Sequence, residues 1–136
     1  MRGMNMGNKR LKIAVVVSLA LLFSVGLALA SNARYHRATG SAAISSTLAP
    51  GVNWQLESVR IHLSAAGGAG DLTATLDHGS GAAYDIVILT QDMTTLTDYI
   101  WTPERPLEYD AATEIDFVWA NANGRTYSLE VIWKST

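Results

Sequence analysis

"EIDFVWANANGRTYSLEVIW", residues 114–133, carries the most regular pattern in the chain. Ile115, Phe117 and Trp119 alternate with Asp116 and Val118, and Tyr127, Leu129, Val131 and Trp133 alternate with Ser128 and Glu130. A period of two places every second side chain on one face, as a half-buried strand requires. Between the two runs lies "NANGRT". With Asn121 opposite Arg125, the loop is Ala122-Asn123-Gly124, a three-residue connection with glycine at its left-handed position. That register sets Trp119 against Tyr127, Phe117 against Leu129 and Ile115 against Val131. A slip of one residue would set Phe117 against Glu130. The pattern therefore predicts two strands joined as a β-hairpin.

The same period runs upstream. Val59, Ile61 and Leu63 alternate with Ser58, Arg60 and His62, while Trp54 and Leu56 keep the opposite parity. The change of parity predicts a β-bulge near Glu57 and Ser58. "SAAGGAGD" (64–71) reads as a loop, and Leu72, Ala74 and Leu76 open another strand. After the turn "DHGSG" (77–81), "AAYDIVILT" (82–90) has Tyr84, Ile86 and Ile88 on one face with Val87 and Leu89 on the other. A strand apolar on both faces is expected at the centre of a sheet. "TDYIWTPERPLEY" (97–109) is expected to hold short edge strands, with Pro103 and Pro106 blocking further ladder hydrogen bonds. No stretch after residue 31 has a helical period. The fold class predicted is all-β, an antiparallel β-sandwich of jelly-roll or immunoglobulin-like type.

Two segments precede that domain, which is read as 52–136. Residues 31–51 are small, polar and weakly patterned, and read as an extended linker. Ahead of it, 13–30 is an uncharged apolar run of 18 residues behind Arg2, Lys9, Arg10 and Lys12. As a helix it would span ~27 Å, just short of a hydrocarbon core of ~30 Å. Ala28-Leu29-Ala30 forms a small-x-small cleavage site. Residues 1–30 are thus a signal peptide cut after Ala30 or a retained membrane anchor. In both cases the basic end stays inside and the remainder is exported, to an extracellular, cell-surface or virion-associated place.

Past residue 31, six Lys and Arg face all twelve acids, a charge of −6 with His neutral. A nucleic-acid groove needs clustered cations, so none is expected. There is no cysteine, which excludes thiol catalysis, thiolate metal sites and the disulfides on which small exported domains often rely.

Chemistry is sparse. His36, His62 and His78 are the only histidines, and no HxH or HExxH spacing joins them; His62 should face solvent. Asp77, His78 and Ser80 hold the residue types of a triad, but sequence neighbours in a turn read more simply as turn formers. No catalytic residues, metal site or cofactor are predicted. Were calcium bound, Asp92 and Asp98 would be the first ligands to consider. Tyr99 and Trp101 share a parity in the proline-guarded segment and are the candidate exposed pair for stacking on a glycan. Ile44 and Leu48 are the candidate residues of a strand donated to a neighbouring subunit.

"SVRIHLSAA", "AAYDIVILTQD", "IWTPERPLEY" and "DFVWANANGRTYSLEVIW", in this order, resemble a group of small all-β proteins encoded in phage and prophage genomes, often near structural genes. The resemblance covers roughly 58–133 and implies a structural role with no catalytic residues to carry over. The export segment departs from an ordinary tail or capsid component. The expectation is a non-enzymatic structural protein that self-assembles or joins a larger particle, a virion or a surface filament. The alternative is a monomeric secreted module that binds carbohydrate or another surface ligand. Self-association or other structural proteins are the expected partners, with a membrane if the anchor is retained.

Overall fold

The computed structural model describes residues 32–136; the leader reading of 1–30 lies outside the described residues. Nine strands follow one another: β1 (Ala33–Gly40), β2 (Ile44–Leu48), β3 (Trp54–Leu63), β4 (Asp71–Asp77), β5 (Ile86–Asp92), β6 (Asp98–Trp101), β7 (Leu107–Tyr109), β8 (Glu114–Trp119) and β9 (Tyr127–Ser135), with one 3-10 turn at Ala82–Tyr84. They form two antiparallel sheets packed as a sandwich. One has the order β1-β9-β3-β6, with β7 also on β3, and the other the order β2-β8-β4-β5.

Alternation fills the space between them. Trp54, Leu56, Val59, Ile61, Leu63, Leu129 and Val131 come from the first sheet; Ile44, Leu72, Ala74, Ile115, Phe117 and Trp119 come from the second, all buried in one cluster. Burying each larger apolar side chain is worth about 1.5–3 kcal/mol. Small residues flank the largest: Phe117 lies between Ser46 of β2 and Ala74 of β4. The bulge expected at Glu57 is present between Leu56 and Ser58 on β3. It also divides the edge. β7 pairs with 54–56 and β6 with 59–62, and Pro103 and Pro106 lie between the two.

Three expectations are corrected. First, β8 and β9 are not a hairpin, since they belong to different sheets. The turn itself is as read, with Gly124 N donating to Asn121 O at 2.9 Å and Gly124 at φ 60°. Beyond it, Asn121 redirects the chain. This buried residue has φ 44°. Its Oδ1 accepts from Arg125 N at 2.8 Å, and its Nδ2 donates to the carbonyls of Arg125 (2.8 Å), Ser41 and Ala42 (both 3.0 Å). An amide side chain thus replaces the first ladder rung, and the chain crosses the core. Phe117 and Leu129 both point inward, from opposite sheets.

Second, 31–51 is not a linker, and Ile44 and Leu48 do not serve a neighbour in this structure. β1 runs along β9 and β2 along β8, with Ile44 opposite Trp119 and Leu48 opposite Ile115. Both are buried in their own chain's core. Small and hydroxyl residues at 38–47 hid two strands whose inward positions are few. Third, β5 is an edge strand, paired among the described residues with β4 alone.

The crossings between sheets stack at one end. Asn121 ties 120–126 to 41–43. Arg125 Nε donates to Ala66 O at 2.9 Å and Ser64 N to Thr126 O at 2.9 Å, joining 120–126 to the β3–β4 loop. Gly67 N donates to Leu96 O and Met93 N to Gly70 O, joining that loop to the β5–β6 connection. Gly67 is pressed so closely that a Cβ would stand 2.7 Å from Met93 O and 2.9 Å from the Trp119 ring. Only glycine fits there.

Replacing Asn121 with alanine leaves three carbonyls and one N–H short of a partner. Urea denaturation of Asn121→Ala is expected to show a loss of roughly 2–4 kcal/mol; a loss under ~1 kcal/mol would show that the corner does not depend on this side chain. At the open side, His36 Nε2 lies 2.8 Å from Ser46 Oγ, linking β1 to β2 across the sandwich. Burial holds the His36 imidazole below its ordinary value of 6.5. The folded protein therefore resists a proton that the unfolded chain accepts, so stability is full above about pH 7 and falls as pH drops through the ordinary histidine range. Thermal melts across that range should show the fall, and His36→Gln should flatten it.

Candidate functional site

The outer face of the first sheet collects the charged residues. β-Pairing aligns Arg37, Glu130, Arg60 and Ile100 in one row and Thr39, Ser128, His62 and Asp98 in the next. Arg37 grips one Glu130 oxygen through Nη2 at 2.7 Å and Nε at 2.8 Å, and Arg60 Nη1 lies 3.7 Å from the other. Beside them, His62 Nδ1 meets Asp98 Oδ1 at 2.6 Å, with both side chains 68% exposed. The hydrogen bond from His62 holds the Asp98 carboxyl below the usual carboxylate range, with Thr97 adding to it. A shallow depression of about 290 Å³ lies here, lined by Arg60, His62, Asp98, Ile100, Ser128 and Glu130. Donors and acceptors side by side on an open floor suit a polyhydroxylated or zwitterionic ligand.

Tyr99 and Trp101 are not the exposed pair of the sequence reading. They lie opposite Ile61 and Val59 and pack, partly buried, against the core. Their strand turns Asp98 and Ile100 outward instead, with Ile100 66% exposed. His62 faces solvent as expected. Its partner was hidden because Asp98 reaches it only through β3–β6 pairing, and no local signal marks that register.

The other acidic and histidine residues are tied locally. Asp92 Oδ1 accepts from Thr94 N at 2.9 Å and from the Thr94 hydroxyl, which lowers its pKa. Asp77 accepts from Gly79 N. His78 Nδ1 faces Thr113 Oγ1 at 3.2 Å, and that hydroxyl donates to Asp110 at 2.7 Å. Asp77 and His78 thus have separate partners and do not form a triad with Ser80. No group of three or more His, Asp or Glu among the described residues is placed to hold a metal ion.

The second notable surface is the free edge of β5. Ile86 is 55% exposed and Val87 56%, and Tyr84 just before them is 67% exposed. Ile88 and Leu89 follow without a charge or proline. The remaining edges differ: β1 carries Arg34 and Arg37, β2 carries Ser45, Ser46 and Thr47, and the β6–β7 edge carries Asp98, Pro103, Pro106 and Glu108. Charges and prolines at edges discourage pairing with another chain, and apolar edges invite it. The sequence reading missed this surface because a run apolar on both faces looks the same whether a second strand or a second molecule covers it.

No protein family matches the sequence, and no curated protein does. Among solved structures, a chain in the structure of infectious bursal disease virus, Gx strain, shows a weak structural similarity, with a TM-score of 0.28 and 16% sequence identity. The similarity covers 75% of this chain and 32% of that one, so this chain spans about a third of it. The two-sheet sandwich described here rests on its own strand pairing.

The outer face sets exposed Arg37, Arg60, His62 and Asp98 around a half-buried Glu130, and ion pairs open to solvent contribute little to stability. Glu130→Ala is expected to lower the unfolding free energy by less than about 1 kcal/mol. A loss several times larger in chemical denaturation would make this cluster a part of the scaffold instead of a surface free to bind.

Proposed function

We propose that this chain is a non-enzymatic structural subunit, an exported or membrane-tethered β-sandwich that associates with copies of itself or joins a larger particle such as a virion or surface filament. The observation that carries the reading is the open edge of β5, an apolar strand whose outer ladder has no partner within the described residues. The strand order, in which all connections but β4–β5 and β6–β7 change sheet, supports a jelly roll over an immunoglobulin-like sandwich. That architecture serves capsid and lectin domains alike, so the fold alone does not choose between assembly and binding. The uncharged apolar run at 13–30 behind a basic start, read as a signal peptide or anchor, supports work outside the cytoplasm.

A second reading, a monomeric module for a carbohydrate or another surface ligand, is favoured by the depression at Arg60, His62 and Asp98. Tyr99 and Trp101 no longer supply its contact surface. Sedimentation equilibrium of the full chain, in mild detergent where the leader is retained, separates the two. Assembly predicts an average mass that rises with concentration above that of one chain. A mass fixed at one chain at the highest concentration, with glycan binding that Arg60→Ala abolishes, would overturn assembly in favour of the module.

A further inference from the structure

We infer that the partner of the β5 edge is a second copy of the same edge, paired antiparallel about a twofold axis through Val87. This pairing presupposes the self-association proposed above and adds its partner, register and symmetry. "IVI", 86–88, reads the same in both directions. In an antiparallel ladder centred on Val87, Ile86 faces Ile88 of the second copy, Val87 faces its counterpart, and Ile88 faces Ile86. Directly opposed residues lie on one face of the ladder and have Cβ atoms ~5 Å apart, so each apolar side chain meets an apolar one.

Neighbouring registers fail. Centring on Leu89 sets Ile86 against Asp92, centring on Ile86 sets Val87 against Asp85, and centring on Ile88 sets the outward Val87 against Leu89, which is buried beyond the bulge. About Val87 the acids stay outside the paired triplet, since Asp85 precedes it and Asp92 lies beyond the bulge. The faces agree as well. Val87 shares the outer face with Thr75 of β4, whereas Ile86 lies opposite inward-facing Leu76. Pairing would bring the outward valines together and place Ile86 beside Ile88 at the margin of the core.

A β-bulge between β4 and β5 opposite Ala74 and Thr75 breaks the regular strand just after Ile88. The bulge limits the contact to a few residues centred on Val87 and stops it from zipping further along the edge. A twofold contact is self-complementary and closed. Its product is a pair in which two four-stranded sheets run on as one continuous sheet, not an open fibre built from this edge.

The chain has no cysteine, so a single introduced thiol reports the register without interference. Opposed residues in an antiparallel ladder have Cα atoms ~4.5–5.5 Å apart, within disulfide range. Mild oxidation of full-length Val87→Cys should give a disulfide-linked pair. Ile86→Cys alone should not, whereas Ile86→Cys mixed with Ile88→Cys should. Val87→Lys, which places two ammonium groups face to face on an exposed position, should weaken association about tenfold or more with the thermal melt unchanged. Cross-linking of Ile86→Cys or Thr90→Cys alone, matching or exceeding that of Val87→Cys, would overturn the register. Association that persists undiminished in Val87→Lys would move the interface elsewhere and leave the assembly reading standing. A chain that never associates would remove both.

Discussion

One buried amide side chain organises this sandwich. Asn121 holds the carbonyls of Ser41, Ala42 and Arg125 and the N–H of Arg125, so two crossings between the sheets, 41–43 and 120–126, are bound directly to each other. β1 can then lie on β9 while β2 lies on β8, because the two corners turn together. The hydrogen bonds run on from 120–126 to 64–70 and from there to 93–97. A protein without disulfides needs some such tie, since a stack of crossing loops would otherwise leave many backbone groups unpaired. Here the loops satisfy one another, and Gly67 lets them approach closely enough to do so.

The same arrangement accounts for what was legible in the sequence. Strand positions depend on local alternation, and the strands at 54–63, 71–77, 114–119 and 127–135 follow it, including the parity change that marks the bulge at Glu57. The turn at Ala122-Asn123-Gly124 was readable from its glycine. What lies across from each strand is a property of the whole chain. Phe117 and Leu129 satisfy the hairpin pattern equally well as cross-strand neighbours in one sheet or as inward residues of two, because both arrangements bury the same alternating face. The polar environment of Asn121 decides between them, and its carbonyl partners are about 80 residues away. β1 and β2 escaped notice for a related reason. Two edge strands that between them bury Ile44 and Leu48, with Ala38 partly buried, have too few apolar positions to stand out from a linker.

The candidate sites divide along the same line. His62 could be placed on an outer face from Ile61 and Leu63 beside it. Asp98, Glu130 and Arg37 were brought to Arg60 and His62 by pairing among β1, β9, β3 and β6, which no local pattern encodes. The aromatic pair failed for a simple geometric reason: Tyr99 and Trp101 do share a face, but on an edge strand of a sandwich that face is the inner one.

Edge protection then connects the scaffold to its proposed role. Three of the sandwich's edges bear charges, hydroxyls or prolines, and the fourth bears Ile86, Val87 and Ile88. If the apolar edge were a mere lapse, nothing would limit its reach, and the whole length of β5 would be open to pairing. Instead the bulge and then Thr90, Gln91 and Asp92 close it off at one end, and Asp85 marks the other. A contact confined to so few residues is weak between free molecules. It gains strength where copies are held side by side, as on a membrane through a retained leader or on the surface of a particle, because tethering replaces bulk concentration with a much higher local one. A closed pair cannot by itself extend into a shell or filament. Growth beyond the pair would then need a different surface, such as the polar outer face around Glu130.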